Sequence, residues 1–378
     1  MFRKLLLKIK RLAQLRTHHL RYLAFTLLAI FFSQLCLSKS QTVPAVYDYA
    51  TLIQYHHVNN KTPAITSVTT QKFEQHLELI ETLDFQVLPL ASIISSIQNN
   101  TDFSKKTLAI TFDDAYASIY ENAFPLLKKR NWPFTIFVNP KAIDDGHSLQ
   151  LSWEMLKEMQ SYGATIVNHS NEHNHLLKKL DGENKSQWLE RTKKDIQLAQ
   201  ARLEEKLNIQ HKWLAYPYGE FDNELQTLLA QMGFLGFSQQ SGAINKSTDM
   251  LAIPRFPASG IYANTKTLKT KLLSKPFYVK GQKPEYKIRS VTEKAPKLEL
   301  TVNKHDINHR YIQCYFSGNK IETHKKISDQ QLTISTHFDG HLPRGRSRYN
   351  CTAPSLSQKI YYWYSMPFIT LENNKWLD

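Results

Sequence analysis

The sequence predicts an α/β fold, a (β/α) barrel followed by a small all-β domain, and three observations carry that prediction. Between Thr51 and Phe256, short apolar runs alternate with amphipathic stretches of helical length. Carboxylates and histidines gather just past the ends of those runs, where α/β folds keep their chemistry. Beyond Tyr286 the pattern changes to period-two alternation. A chain of 378 residues is long enough for a barrel and an addition to it.

In chain order, residues 52–55, 108–112, 134–138, 164–167, 213–216 and 234–237 read as strands. Residues 71–83, 119–130, 152–162, 185–207 and 223–232 read as the helices between them, with Pro125 breaking the second. Ser152 and Asp222 are N-cap residues, and Gly163 and Gly233 stand where helices end. A polar helix over 265–273 leads into a stretch rich in Lys, Gly and Pro, read as a linker. Residues 298–302, 311–316 and 331–335 then alternate as strands. The division is a leader over 1–40, a barrel over 41–273, a linker over 274–286 and a β-rich domain over 287–378.

The formal charge is +15, but Arg3, Lys4, Lys8, Lys10, Arg11, Arg16 and Arg21 supply seven of those charges with no acid among them, leaving +8. That remainder suits an anionic membrane surface or polymer and lacks the aromatic signature of an RNA-binding module, so nucleic acid is not the expected partner. The apolar, uncharged residues 22–37 after the basic leader have the order of a secretory signal. A cleaved signal peptide and a retained inner-membrane anchor both fit, and either places the chain beyond Ser40 outside that membrane, periplasmic or at the cell surface. Leu35 before Cys36 argues against a lipoprotein site. Cys314 and Cys351 then lie in an oxidising compartment, as a disulfide or as two buried thiols.

Three strings carry chemistry. Thr111-Phe112-Asp113-Asp114 delivers two carboxylates to a strand end, one able to ligate a metal and the other to accept a proton. In His169-Ser170-Asn171-Glu172-His173 the four-residue spacing puts both imidazoles on one face of a helical turn, a pattern suited to a divalent metal. Tyr216-Pro217-Tyr218-Gly219 is the third.

Together these strings resemble the polysaccharide deacetylase family, carbohydrate esterase family 4, over roughly residues 51–260. The resemblance implies a distorted seven-stranded deacetylase barrel and hydrolysis of an N-acetyl group by water activated at a metal, zinc or another first-row divalent ion. It implies Asp113 as general base, Asp114, His169 and His173 as metal ligands, and the Tyr218 backbone amide as oxyanion donor. No late histidine motif supplies the general acid. Instead Leu52-Ile53-Gln54-Tyr55-His56-His57-Val58 resembles the permuted element of a subgroup, which makes His56 the acid and His57 its alternative. Ala215 stands where the family has the arginine that orients the base. Arg255 either replaces that arginine or forms an ordinary salt bridge.

The permuted histidine and the ending Phe256-Pro257-Ala258-Ser259-Gly260 resemble the exopolysaccharide deacetylases, implying an N-acetylated amino-sugar polymer of the poly-N-acetylglucosamine kind. Peptidoglycan or chitin oligomers fit the same chemistry. A non-catalytic carbohydrate-binding protein and an assembly partner of exopolysaccharide synthesis and export are readings from other classes. His175 is expected at the surface, and His18, His19, His305, His309, His337 and His341 lie outside the strings. Tyr361-Tyr362-Trp363-Tyr364 is either a sugar-stacking platform or β-domain core.

Overall fold

A computed structural model describes residues 46–373 together with Lys375 and Trp376. The basic leader, residues 22–37, His18, His19 and Cys36 lie outside the described residues. Among the described residues no helix is long and apolar enough to cross a membrane.

A nine-stranded sheet organises the first part of the chain: β1 (Tyr49–Tyr55), β2 (Gln86–Val87), β3 (Thr107–Phe112), β4 (Phe134–Val138), β5 (Ala164–Asn168), β6 (Trp213–Ala215), β7 (Leu235–Phe237), β8 (Ile244–Asn245) and β9 (Phe256–Pro257). Its main path runs β8-β1-β3-β4-β5-β6-β7, while β9 also pairs with β1 and β2 with β3. All pairings are parallel except β1 with β8. Parallel strands are covered on both faces, and β1, β3 and β4 are accordingly buried along their whole length.

The alternation of β1 sorts its side chains into two cores. Leu52 joins Ala109, Phe137, Val167, Ala215, Phe237 and Ile253, one from each of several strands. Ile53 and Tyr55 pack instead against Phe73, Leu77 and Ile80 of helix α1 (Thr70–Thr82).

The remaining helices are α2 (Leu90–Gln98), α3 (Phe124–Lys129), α4 (Pro140–Asp144), α5 (Trp153–Ser161), α6 (Lys185–Leu207), α7 (Asn223–Met232) and α8 (Thr265–Leu272). The bounds of α1, α3 and α5 to α8 fall within five residues of the expected ranges, while α2 and α4 are additional to the sequence expectation. Ser152 and Asp222 do cap α5 and α7, accepting from the Met155 and Leu225 amides, and Gly233 ends α7 in the left-handed conformation. Gly163 sits one residue past the Tyr162 C-cap, also with positive φ. The region of 119–130 begins as a wide π-type turn over Ile119–Ala123 and becomes α-helix where Pro125 enters its first turn.

After α8 the described residues contain strands and no α-helix. A six-stranded and a four-stranded sheet form there, and the cross-strand neighbours Cys314 and Cys351 are joined in a disulfide. The stretch read as a linker over 274–286 is different from that expectation. Lys275–Pro276 and Val279–Lys283 are strands within these sheets, and Lys280, Gly281 and Lys283 are exposed along the second of them. A polar edge strand discourages further strand pairing, and its composition is easily mistaken for that of a connector. One apolar cluster runs from Leu214, Tyr216 and Leu225 into Phe277, Tyr286 and Leu300, so the C-terminal sheets pack directly on the α/β sheet.

Candidate active site

The carboxyl ends of β1, β3, β5 and β6 bring the marked residues to one edge of the sheet. Asp113 follows β3 directly, its amide bonded to the Tyr55 carbonyl at the end of β1, 2.9 Å away. His169 follows β5, with its amide on the Val138 carbonyl at 2.9 Å. Tyr216 follows β6, its amide on the Phe237 carbonyl at 2.9 Å.

Asp114, His169 and His173 converge. Asp114 Oδ1 lies 3.0 Å from Nε2 of each histidine, and the three candidate ligand atoms all fall within 4.8 Å of one another. The His169 ring is fixed from behind: its Nδ1 donates to the Ala215 carbonyl at 2.8 Å, which turns the Nε2 lone pair into the cluster. His169 Nε2 and Asp114 Oδ1 are buried and make no properly directed hydrogen bond despite their proximity. Two buried lone-pair atoms facing each other at this separation suit a shared cation, since ligands on one ion at bonds near 2 Å lie roughly 3 Å apart. One carboxylate and two imidazoles form a donor set that fits a divalent metal and leaves positions open.

The His169–His173 string is not a helical turn. It is a loop in which Ser170 (φ 63°) and His173 (φ 56°) both adopt left-handed backbone. Side chains, not helix periodicity, set its shape. The Ser170 amide donates to Asn168 Oδ1 (2.8 Å), the His173 amide to Ser170 Oγ (3.1 Å), and the Asn171 and Glu172 amides to the carboxylate of Asp195 on α6 (3.1 and 3.3 Å). Asp195 lies far from any motif, and nothing in the sequence marks it for this task.

Asp113 is fully buried and held in a fork by Arg255, Nη1 to Oδ1 at 2.6 Å and Nη2 to Oδ2 at 2.8 Å. Arg255 is itself fully buried. Its Nε donates to the Ser238 carbonyl (3.0 Å), its Nη1 also reaches Thr111 Oγ1 (3.2 Å), and the guanidinium lies over the Phe137 ring. Gln54 Nε2 donates to Asp113 Oδ2 at 2.6 Å, a partner the sequence reading missed, although β1 alternation puts it two residues before His56. Burial pushes the Asp113 carboxyl up, but the Arg255 and His169 charges outweigh it and hold its pKa below the usual range.

His56 lies just past β1, within electrostatic reach of Asp113, Asp114, Arg255 and His169. Burial first, and then the Arg255 and His169 charges, lower its pKa against the two carboxylates, which raise it. His57 instead stacks on Tyr116 with ring centres 3.6 Å apart, and burial brings it down to about 4.

Tyr218 has φ 59° and is followed by Gly219 at φ 71°, so the string turns sharply under the histidine loop. The Tyr218 ring packs on His173 and lies flat against His175. His175 is therefore not a surface residue: Nδ1 is 2.6 Å from the buried Glu220 carboxylate, and the ring sits between Tyr218 and Trp376. Its offset of two residues from His173 would send it elsewhere on a helix, but this segment is a loop. Among the aromatic run, Tyr361 is exposed, Tyr362 is buried, and the Trp363 ring meets Phe256 edge-on. Tyr364 Oη bonds Gln282 Oε1 at 2.5 Å.

A carboxylate and two imidazoles, a separate carboxylate clamped by arginine and a neighbouring histidine thus meet at the carboxyl edge of an α/β sheet, an arrangement whose donor set fits a divalent metal. Residues 100–237 match the family model described as polysaccharide deacetylase, and the chain carries a polysaccharide deacetylase domain, an enzyme of the N-deacetylase type. It is similar to the poly-β-1,6-N-acetyl-D-glucosamine N-deacetylase of Staphylococcus epidermidis, 28% identical over 229 residues, covering 56% of this chain and 79% of that protein. The Staphylococcus aureus protein of the same name is 27% identical over 194 residues, covering 50% of this chain and 67% of that protein. Among solved structures, the Streptococcus pyogenes deacetylase PplD in complex with acetate superposes with a TM-score of 0.53 at 21% identity, over 59% of this chain and 98% of that one. IcaB from Ammonifex degensii does so with a TM-score of 0.52 at 22% identity, over 60% and 97%. At these identities the two structures attest the fold.

Proposed function

We propose that this protein removes N-acetyl groups from a poly-β-1,6-N-acetylglucosamine-like polymer, with a divalent metal, zinc by first choice, held by Asp114, His169 and His173. The observation that carries the reading is the converging ligand set of those three residues, buried at Asp114 and His169 and partly buried at His173, beside an arginine-clamped carboxylate. The linkage rests on the names of the staphylococcal relatives. When bound, the metal would polarise the acetamide carbonyl and make water more acidic. Asp113, kept ionised by Arg255, accepts a proton from the attacking water as its oxygen bonds to the acetamide carbon. The Tyr218 amide stabilises the developing oxyanion. His56 returns a proton to the nitrogen as the C–N bond breaks, leaving the free amine and acetate. With its pKa lowered by burial, His56 is protonated over a narrower range than a free histidine, so proton delivery weakens as pH rises.

The same reading takes the main sheet as a distorted seven-stranded barrel. The common inner cluster and the single bridge Phe237 to Ile253, shortly before β9 returns to β1, support closure. It takes residues 41–273 as the catalytic domain and 287–378 as a small β-rich domain packed on it. It places the protein outside the inner membrane, behind a cleaved or retained leader and near polymer synthesis and export partners.

The test is acetate release from β-1,6- and β-1,4-linked N-acetylglucosamine oligomers by the protein lacking residues 1–40. Release from the β-1,6 series is expected to stop on chelation, return with zinc and be lost in Asp113→Asn. Activity that survives both chelation and Asp113→Asn overturns the mechanism, and a preference for the β-1,4 series overturns the substrate.

A further inference from the structure

The C-terminal sheets reach into the site. Arg346, on the strand Gly345–Pro354, donates through Nη1 to the Tyr218 carbonyl and lies 3.4 Å from Gln239 Oε1. Gln239 in turn crowds Gly219, where an added Cβ would meet the Gln239 side chain at 2.7 Å. On the other side Trp376 packs on His175, with ring centres 4.8 Å apart, and His175 packs on Tyr218 at 4.1 Å, 17° from parallel. The Trp376 carbonyl is held by Arg344 Nη2 at 2.8 Å. The residue between these grips is a tyrosine at φ 59°, a conformation that L side chains other than Asn and Asp resist, and one that returns toward negative φ if nothing prevents it.

We propose that the C-terminal β region is a clamp on the active site, with Arg346 and Trp376 as positioning residues that hold the Tyr218 peptide in the left-handed conformation that aims its N–H at the reacting carbonyl. The proposal rests on the reading of that amide as the oxyanion donor. Arg346 fixes the peptide on the carbonyl side of Tyr218 and the His175–Trp376 stack fixes its ring. Neither residue need touch the substrate. Truncating either lets the loop populate conformations in which the amide points away, which lowers turnover without loosening substrate binding. The β region is thereby a working part of the deacetylase, in addition to any contact it makes with polymer.

The experiment compares wild type, Arg346→Ala, Arg346→Lys and Trp376→Ala in the zinc-loaded protein on a β-1,6-linked N-acetylglucosamine pentamer. The expected result is a fall in kcat of about tenfold in Arg346→Ala and Trp376→Ala with KM within twofold, and partial recovery in Arg346→Lys, whose ammonium still donates to the carbonyl. Zinc affinity and melting temperature are expected to stay near wild type in Arg346→Ala, because this side chain is exposed. A second arm replaces the Pro217–Tyr218 amide with an ester, using the α-hydroxy analogue of tyrosine, and repeats Arg346→Ala on that background. If the clamp acts through the amide, Arg346→Ala costs nothing further once the N–H is gone. An ester that leaves kcat unchanged overturns the oxyanion reading. An ester that lowers kcat while Arg346→Ala does not, or costs that simply add, overturns the clamp.

Discussion

Replacing Arg255 with Met tests what holds the Asp113 carboxylate in its ionised state. The pair is fully buried, and the substitution removes two bonds of 2.6 and 2.8 Å while leaving Asp113 the bond from Gln54 Nε2 at 2.6 Å. Stranding one member of a buried ion pair costs roughly 3–5 kcal/mol, and Met fills most of the space so that little of the loss is cavity. The lost bonds to the Ser238 carbonyl and Thr111 Oγ1 act in the same direction. In the wild type Asp113 has a lowered folded pKa, so its contribution to stability is in place above the unfolded value of about 3.9 and is lost as pH falls through the folded one. Without the guanidinium, burial acts unopposed and the folded pKa moves up. The acid limb of the kcat/KM profile is therefore expected to shift to higher pH in Arg255→Met, with activity at its optimum reduced about 100-fold, the lower end of what a positioned general base contributes. Arg255→Lys keeps the charge but replaces the fork with a point donor, so the limb returns most of the way while the rate does not. Acetate release from pH 4 to 9 and urea unfolding give both quantities. An acid limb that stays in place in Arg255→Met would refute the argument, because a purely structural arginine destabilises the protein without moving that limb.

Two further outcomes can be measured away from the chemistry. His76 donates from Nε2 to the Ala263 carbonyl at 2.7 Å and accepts from Tyr55 Oη at 3.0 Å, and burial lowers its pKa to about 4. The unfolded chain binds this proton first as pH falls, so stability is expected to decline between about pH 6.5 and 4, and a denaturation series that shows an equal decline in His76→Gln counts against this histidine as the cause. The Cys314–Cys351 disulfide closes a separation of 37 residues, which chain entropy converts to about 4 kcal/mol, and reduction is expected to lower the urea midpoint; an unchanged midpoint would show that the sheets hold without it.

Much of the sheet and its site was legible because the features involved are local. Strand runs such as Thr107–Phe112, helix caps such as Ser152 and the carboxylates after a strand end are written in consecutive residues. Arg255 was legible as a candidate because Ala215 left a specific vacancy in a known pattern. What was not legible depends on long-range packing. Gln54, Asp195 and Ser238 reach the site by virtue of topology, and no local spacing distinguishes them from other polar residues. The polar strand Val279–Lys283 looked like a linker because its identity as a strand comes from its partner, Leu298–Asn303. His175 was misplaced by assuming helical geometry for a segment whose shape comes from the Ser170, Asn168 and Asp195 side chains.

The backbone of the site is likewise set by long-range contacts. Among the described residues twelve other than glycine have positive φ, and five of them, Asp114, Ala115, Ser170, His173 and Tyr218, belong to or adjoin the three strings. Of the seven elsewhere, all but Ser317 are Asn or Asp, which tolerate left-handed backbone at little cost. At the site only Asp114 is of that kind, so Ala, Ser, His and Tyr are held where each costs about 1–2 kcal/mol. Such conformations persist only where surrounding contacts over-determine them, and those contacts are visible: Asp195 beneath the histidine loop, Ser170 on the His173 amide, Arg346 and the His175–Trp376 stack around Tyr218. Glycine at these positions would relax the backbone but remove the side-chain contacts that hold it, Ser170 Oγ on the His173 amide and the Tyr218 ring on His175, and free the loops to move. The geometry of the site is therefore maintained against local backbone preference, and the part of the chain after Leu272 supplies some of the contacts that offset the strain.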